Sequence, residues 1–311
     1  VNVFIMGALT AGLRSEEIAH LCELDRAGVI GFGDDKPLGS AAVLRAAFMY
    51  AKPLGKTVCV HCEDASLVSE GHMHEGVVST ILGLNGRPRS AEDIEVARAI
   101  ILAEETGVRL HILHLSSAKS VEIVRQAKAK GLNVTAEVTP HHLILTDEAV
   151  MGYNTNAKVT PPIREISDRE ALREGLADGT IDCIATDHAP RCLEEKQVEF
   201  PLAGNGMIGL ETAFSLLMTE LVKPGLFDLK DIISALTVKP SRIYGLGKGT
   251  LIPGSDADIT VIDPAFEWVV QPDLLESKSK NTPFMGKTLK GAPVLTMVGG
   301  KVVMKGRKIV A

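Results

Sequence analysis

The residues best suited to chemistry are two histidines and two aspartates, each of which follows a short β-rich run. They are Asp35, His61, His114 and Asp187. Histidine nitrogens and carboxylate oxygens are ligands that zinc and similar divalent ions use in proteins. A single such histidine is most often a structural core residue, but four comparable side chains after separate strands favour a metal site. We therefore predict that these four residues bind Zn²⁺ or a similar ion.

The stretch IDCIATDHAP reads as a buried strand that opens onto a polar loop, with Asp187 at its carboxyl end. Ile181, Cys183, Ala185 and Asp187 share one strand face because side chains alternate with a period of two residues. Burying an ionised carboxylate is unfavourable unless a cation or hydrogen bonds compensate it. The sequence therefore predicts a positively charged partner for Asp187, and a metal ion fits best.

Short β-rich runs alternate with helical patterns, which is typical of βα units around a parallel sheet. The predicted strands are Val3–Met6, Val29–Phe32, Val58–His61, Arg109–His114, Asn133–Thr139 and Ile181–Asp187. The predicted helices include Ala41–Ala51, Ala91–Glu105 and Ser120–Lys130. In a parallel α/β barrel the carboxyl ends of all strands lie on one face, so the four candidate ligands would converge there. The predicted fold class is α/β.

The character of the chain changes near residue 249, where glycine and proline punctuate a run of short β-rich segments. Residues 294–304, VLTMVGGKVVM, contain a Gly-Gly pair between two β-rich runs, which predicts a β-hairpin. We predict a barrel over residues 1–248 and a small β appendage over residues 249–311.

Composition excludes several classes of function. The chain has 311 residues, a net charge of −6 and a pI near 5.9, and no stripe of Lys and Arg, so we expect no nucleic-acid partner. No apolar run approaches the roughly 18 residues that span a bilayer, and the amino terminus lacks the basic region and cleavage site of a signal peptide. We therefore expect a cytoplasmic protein, no membrane contact and a small-molecule substrate.

Other polar residues give weaker signals. Glu137, in mid-strand, either orients a ligand histidine or is a satisfied polar group inside the barrel. His141 and His142 fit a role in the site and structural hydrogen bonding equally well. Cys59 and Cys62 match Cys-x-x-Cys, but no second pair completes a zinc knuckle. The cysteines number five, an odd count that predicts free thiols rather than a disulfide framework.

Long ordered motifs resemble the class I dihydroorotases of the amidohydrolase superfamily. The motifs are FGDDK at Phe32–Lys36, VHCED at Val60–Asp64, MHEG at Met73–Gly76, HLSSAKS at His114–Ser120, AEVTPHHL at Ala136–Leu143, DREALREGLADGTIDCIATDHAP at Asp168–Pro190, LETAF at Leu210–Phe214, PGSDADITVID at Pro253–Asp263 and NTPFMG at Asn281–Gly286. The resemblance covers essentially the whole chain. It implies a TIM-like (β/α)₈ metal-dependent hydrolase barrel with a small β-sandwich appendage.

The implied reaction is the reversible cyclisation of N-carbamoyl-L-aspartate to L-dihydroorotate in de novo pyrimidine biosynthesis. The resemblance implies one or two zinc ions, with His61 and His114 on the second ion and Asp187 on the first. Asp35 would stand where other members have a carboxylated lysine, since FTDDG-type patterns place the ligand at the second Asp. Asp187 would be catalytic, taking a proton from a metal-bound water and delivering it to the departing nitrogen.

The resemblance also implies substrate-binding positions at Arg191, Thr160, Asn205 and Gly206. This sequence departs from the family pattern at these positions. Arg191 replaces a substrate-contacting histidine, Thr160 replaces an asparagine, and Gly204-Asn205-Gly206 replaces Pro-Phe-Gly. An arginine can still clamp a carboxylate. The family's first two barrel strands, with their His-x-His-x-Arg, precede the point that Val1 matches, so we expect the barrel to begin near its third strand.

Two alternatives remain open at this point. One is another cyclic amidohydrolase, of the allantoinase or hydantoinase type. The other is a non-catalytic paralogue that supports aspartate carbamoyltransferase. We expect a homo-oligomer, with aspartate carbamoyltransferase as a further partner to be tested.

Overall fold

A computed structural model describes residues 1–310 of the chain. In chain order the strands are β1 (Met6–Gly7), β2 (Gly31–Asp34), β3 (Thr57–Val60), β4 (Met73–His74), β5 (Gly86–Arg87), β6 (Arg109–Ile112), β7 (Val134–Val138), β8 (Cys183–Ile184), β9 (Ile259–Val269), β10 (Thr288–Val298), β11 (Lys301–Lys305) and β12 (Lys308–Ile309). The α-helices are α1 (Leu21–Arg26), α2 (Ala41–Ala51), α3 (Ala65–Val68), α4 (Val77–Leu82), α5 (Ser90–Thr106), α6 (Ala118–Ala129), α7 (Pro140–Ile144), α8 (Ile166–Asp178), α9 (Leu193–Lys196), α10 (Ala213–Leu217), α11 (Leu229–Leu236) and α12 (Val238–Tyr244).

The main sheet positions the candidate site. Its six strands are parallel and run in the order β1-β2-β3-β6-β7-β8. Helix α5 packs beside α2 and α6, and α6 packs beside α8, so the connecting helices cover one face of the sheet. This arrangement confirms the predicted α/β class with a TIM-barrel-like parallel sheet.

The two faces of this sheet differ in chemistry. Val58 and Val60 of β3, with Leu110 and Ile112 of β6, are buried in the main hydrophobic core. The residues between them alternate to the opposite face, because strand side chains repeat every two residues. That second face carries Cys59 and, next to it in register, His111. The inner face of the sheet is therefore polar, and the apolar face packs under the helices.

The predicted helices are close to the observed ones, whereas several predicted strands end too late. Helix α2 has the predicted bounds, and its N-terminus is capped by Ser40, which accepts a hydrogen bond from the Val43 amide at 3.3 Å. Strand β3 ends at Val60, β6 at Ile112 and β8 at Ile184. Consequently the candidate ligands lie on the loops that follow these strands.

The C-terminal appendage is an antiparallel sheet in the order β12-β11-β10-β9. The predicted hairpin is present, with Val298 opposite Lys301 and positive φ angles of 54° at Gly299 and 78° at Gly300. Trp268 of β9 donates its indole N–H to Ser215 Oγ at 3.1 Å, which fastens the appendage to the barrel helices. The domain boundary at residue 248 stays a prediction.

Strand β2 lies so close to β3 that a side chain does not fit at Gly31. A Cβ there would lie 2.7 Å from the Thr57 carbonyl oxygen. We expect Gly31→Ala to lower the free energy of unfolding by about 1–3 kcal/mol, as overpacking does. Gly39→Ala is the control, because Gly39 has open space around its Cβ position. Urea unfolding of both variants measures the difference, and equal stabilities would contradict this account of the sheet.

None of the helices within residues 1–310 combines the length and the apolar character required for a membrane span.

Candidate metal centre

Two of the predicted ligands, His61 and His114, face each other directly. His61 Nδ1 lies 2.9 Å from His114 Nε2, and the ring centroids are 4.7 Å apart in an edge-to-face arrangement. Both side chains are buried. A separation of 2.9 Å is that of a hydrogen bond, and it also approaches the roughly 3.3 Å between two nitrogens on one tetrahedral zinc ion. The pair therefore presents two nitrogen ligands to a common point.

The electrostatics around His114 suit a neutral metal ligand. Burial, and next the neighbouring His61, lower the pKa of His114 well below its usual value. His114 Nδ1 is also buried without a hydrogen-bond partner among residues 1–310. Neutral imidazole is the form of histidine that binds metal ions, so the donor chemistry of this pair fits zinc.

The backbone at two predicted ligands is unusual. His114 has φ +33° and Asp187 has φ +48°, both in the left-handed region that non-glycine residues rarely adopt. Such conformations cost about 1–3 kcal/mol each and cluster at functional sites. They also explain why β6 and β8 end before these residues, since a left-handed residue cannot continue a strand.

Asp187 lies near the histidine pair without a fixed partner. Its half-buried carboxylate makes no hydrogen bond or salt bridge within residues 1–310. Burial, and then the charge of Glu137, raise the pKa of Asp187, whereas His61 lowers it. The positive partner that the sequence predicted for Asp187 is therefore not a Lys or Arg side chain of the described chain, which leaves room for a cation.

Asp35 forms no hydrogen bond or salt bridge with the two histidines within residues 1–310. Strand β2 ends at Asp34, and Asp35 is exposed on the following bend. Asp34 is buried instead, and its carboxylate accepts hydrogen bonds from the Leu9 amide at 2.8 Å, the Thr10 amide at 3.2 Å and the Thr10 hydroxyl. Asp34 thus holds residues 9 and 10 in place, and a ligand role for Asp35 stays a prediction.

The four predicted ligands do not form one compact group. No three of them have ligand atoms within 4.8 Å of one another in residues 1–310. Two other groups do, namely His111 with Glu137 and Cys183, and His74 with Glu165 and Asp168. The paired histidines are therefore the assembled part of the predicted centre.

The predicted substrate-binding residues come from separate segments that contact one another. Arg191 donates from Nε to the Asn205 carbonyl oxygen at 2.8 Å, and its amide donates to Asn281 Oδ1 at 3.1 Å. The Gly206 amide donates to the carbonyl oxygen of Lys158 at 2.9 Å. Lys158 lies two residues before Thr160 in the chain. The structure therefore brings Arg191, Asn205 and Gly206 together and places the Thr160 segment beside them. Their role in binding substrate stays a prediction.

A buried chain of polar contacts joins His61 to Thr160, and the sequence reasoning missed its two middle members. His61 Nε2 lies 3.5 Å from Glu63 Oε2, and Glu63 Oε1 lies 3.3 Å from an Arg87 guanidinium nitrogen. The same nitrogen donates to Thr160 Oγ1 at 2.9 Å. Burial opposes ionisation of Glu63, but His61 and Arg87 together hold its pKa below the usual value. Glu63 could have been found from its spacing of two from His61, whereas nothing in the sequence connects Arg87 to Thr160.

We expect Glu63→Gln to weaken zinc binding by about 10–100-fold, the usual effect of losing a carboxylate that orients a ligand histidine. The measurement is competition with a chromophoric chelator. Glu95→Gln is the matched control, because Glu95 is also buried but pairs with Arg98 away from the histidines. Equal zinc affinity in the two variants would contradict an orienting role for Glu63.

His141 and His142 differ in their hydrogen bonding. His142 Nδ1 lies 2.9 Å from Thr139 Oγ1, and its Nε2 lies 3.1 Å from the Pro161 carbonyl oxygen, so both ring nitrogens have structural partners. His141 Nε2 is buried without a partner among residues 1–310. His142 therefore has the structural role that the sequence left open.

Comparison with known proteins agrees with this architecture. The sequence pattern of the amidohydrolase family matches residues 11–303, and the chain belongs to this family. Among curated relatives, the dihydroorotase of Pelotomaculum thermopropionicum is 54% identical over 310 residues, covering 99% of this chain and 73% of that protein. The dihydroorotase of Trichlorobacter lovleyi is 50% identical over 307 residues, covering 98% and 72%. The predicted resemblance to dihydroorotases is thereby confirmed.

A solved structure with the same fold is the L-hydantoinase (dihydropyrimidinase) of Arthrobacter aurescens. It superimposes with a TM-score of 0.89 at 28% identity and covers 100% of this chain and 72% of that chain. The D-hydantoinase of Thermus sp. gives a TM-score of 0.83 at 27% identity, covering 94% and 67%. These likenesses confirm the amidohydrolase barrel fold.

Proposed function

We propose that this chain catalyses the reversible, metal-dependent cyclisation of N-carbamoyl-L-aspartate to L-dihydroorotate. The observation that carries the proposal is the buried His61–His114 pair beside an unpartnered Asp187 carboxylate. The curated dihydroorotases that match 97–99% of the chain supply the choice of substrate.

The proposed metal is zinc, as one or two ions. His61 and His114 would hold one ion, while Asp187 and Asp35 would contribute oxygen ligands. A bound zinc ion polarises a carbonyl group and acidifies water at neutral pH. The contribution of Asp187 is to accept the proton from the attacking water and return it to the ring nitrogen that leaves. Its half-buried position without a competing hydrogen bond suits that transfer.

The substrate carboxylate would be recognised by the loop that holds Arg191. Arg191 is anchored through Nε to Asn205, and its guanidinium still reaches Glu195 Oε1 at 3.4 Å. A weak and partly exposed ion pair of this kind contributes little, so a substrate carboxylate can displace Glu195 and form a bidentate pair. Asn205 Oδ1, which is buried without a partner among residues 1–310, is the acceptor available to a substrate N–H group.

A hydantoinase-type activity is the second candidate, because the solved structures named above are hydantoinases. Hydantoin and allantoin lack the ring carboxylate that dihydroorotate carries. A homo-oligomeric state, a complex with aspartate carbamoyltransferase and a cytoplasmic location remain predictions.

The test is a substrate panel with the zinc-loaded protein. Dihydroorotate hydrolysis and carbamoyl-aspartate cyclisation are measured beside the hydrolysis of hydantoin and allantoin. We expect turnover of dihydroorotate in both directions and slow turnover of the two rings that lack a carboxylate. Preference for hydantoin would favour the second candidate, and absence of turnover of any ring would favour the non-catalytic paralogue.

A further inference from the structure

A second set of side chains that could bind a metal ion lies inside the barrel. We call His111, Glu137 and Cys183 the inner cluster; one ligand atom from each lies within 4.8 Å of the others. Glu137 pairs in register with Cys183 on the neighbouring strand, and His111 lies beside Cys59. Since Cys59 is two residues before His61, His111 lies about 6.6 Å below His61 along the strand direction at 3.3 Å per residue.

The charge balance of the inner cluster is incomplete. Glu137 has 9% of its surface exposed, and its salt-bridge partner in residues 1–310 is His111, at 3.1 Å. The charge of Lys239 acts on Cys183, but Lys239 forms no ion pair with Glu137. A buried carboxylate without a fixed cation is unfavourable. The inner cluster therefore offers a place for a positive charge that the side chains do not fully supply.

The other group of three ligands is different in this respect. This group consists of His74, Glu165 and Asp168. Arg89 forms salt bridges with both carboxylates of the group, with Glu165 at 2.6 Å and with Asp168 at 2.8 Å. Its histidine, His74, lies 3.4 Å from the guanidinium of Arg164. Positive charge is already present there, so a metal ion would have to compete with two guanidinium groups. The comparison singles out the inner cluster as the site for a cation.

The hydrogen bonds of His111 allow it to act as a ligand. Its Nδ1 lies 2.8 Å from Thr135 Oγ1, and that hydroxyl has the Leu110 carbonyl oxygen at 3.3 Å for its own hydrogen. Nδ1 can therefore donate to Thr135, which leaves the Nε2 lone pair facing Glu137. A ligand histidine whose other nitrogen donates to an oxygen is the usual arrangement around protein-bound metals.

We propose that the inner cluster binds one thiophilic divalent cation, such as zinc or cadmium, through His111 Nε2, a Glu137 carboxylate oxygen and Cys183 Sγ. Binding breaks the Cys183 S–H bond and releases the proton to solvent. One thiolate and one carboxylate then balance the two charges of the ion, so the buried site is neutral. Cys59 keeps its hydrogen and its 3.3 Å contact with the Tyr244 hydroxyl. Three protein ligands with one open position is an arrangement that zinc adopts.

The test uses cadmium and the ultraviolet charge-transfer band of a cadmium–thiolate bond. The band does not report on cadmium held by His61, His114, Asp35 or Asp187, because these residues contain no sulfur. All proteins carry Cys22→Ser and Cys192→Ser, since Cys22 is half-buried and Cys192 is exposed beside Glu195, and either thiol would bind cadmium itself. We expect one equivalent of cadmium to give the band in this background.

Cys183→Ser should remove the band, and Cys62→Ser should keep it. Cys62 is the matched control because it is equally buried, while its Sγ contacts the Val60 carbonyl oxygen at 3.8 Å outside the cluster. His111→Gln, which removes a ligand but no thiol, should weaken cadmium binding at least about tenfold. It serves as the second variant if Cys183→Ser does not fold.

Absence of the band in the background protein would overturn the proposal, as would a band that survives Cys183→Ser or disappears in Cys62→Ser. Unchanged cadmium affinity in His111→Gln would also overturn it. None of these outcomes depends on turnover of any substrate, so failure of the inner site and failure of the proposed activity are distinguishable.

Discussion

Asp187→Asn is expected to lower kcat by about 10²–10⁴-fold, the contribution typical of a positioned acid–base group, while the melting temperature stays equal or rises. The loss of activity follows because an amide cannot accept and return the proton. The stability is kept because the carboxylate has no hydrogen bond to lose. Burial raises its pKa, so above the unfolded pKa the ionised carboxylate of Asp187 is unfavourable to folding, whereas a neutral side chain is not. Asparagine also tolerates the φ of +48°.

Asp182→Asn is the control, with the opposite pattern of effects. Asp182 lies on the same segment, and its carboxylate accepts hydrogen bonds from Lys128 Nζ at 2.6 Å and the Ala136 amide at 2.9 Å. Its replacement should lower the melting temperature and leave kcat unchanged. Differential scanning fluorimetry and steady-state kinetics measure both variants. Near-normal turnover by Asp187→Asn would remove Asp187 from the reaction.

His114→Asn is expected to reduce both zinc affinity and turnover. The reduction should exceed the roughly 10–100-fold that follows from losing a hydrogen-bond partner of a ligand histidine. The physical reason is that His114 Nε2 is one of the two nitrogens that converge at 2.9 Å. Stability should also fall by about 1–3 kcal/mol, because the buried contact of His114 Nε2 with His61 Nδ1 is lost, so zinc is counted per folded molecule. Zinc content of the purified protein and kcat/KM for dihydroorotate are the two measurements.

His142→Gln provides the comparison for this variant. Burial lowers the pKa of His142 to about 4, so the ring is neutral, and its nitrogens contact Thr139 and Pro161. Leaving these buried groups unpaired costs about 1–3 kcal/mol, so His142→Gln should be less stable yet keep its zinc per folded molecule. If His142→Gln lost zinc while His114→Asn retained it, the assignment of the metal ligand would be wrong.

The sequence predicted regular structure well where local signals decide it. Helix α2 was placed correctly because an apolar stripe follows the Ser40 cap, and the β10–β11 hairpin because Gly299-Gly300 supplies two positive φ angles. The two-residue alternation of side chains does not predict where the strands beside the site end. The predicted strands ran on to His114 and Asp187, but the left-handed backbone at these residues depends on tertiary packing and leaves no trace in an alternating pattern.

The candidate site was predicted in part, for similar reasons. The meeting of His61 and His114 follows from their position just past neighbouring parallel strands, which a sequence can indicate. The relation of Asp34 to Asp35 depends on a single residue of register, and the structure buries the first and exposes the second. Arg87 reaches Thr160 across 73 residues through chain folding alone, so no local pattern could identify it.

The positive φ angles at His114 and Asp187 have a consequence for attempts to transplant this centre into another scaffold. If the two side chains were copied onto ordinary strand termini, the imidazole and the carboxylate would point in other directions, because the backbone φ and ψ angles set the direction of each Cα–Cβ bond. A grafted version needs the two left-handed kinks as well, supported by packing that offsets their strain. Library designs that randomise side chains on ideal barrels would therefore miss this geometry, however many sequences they sample.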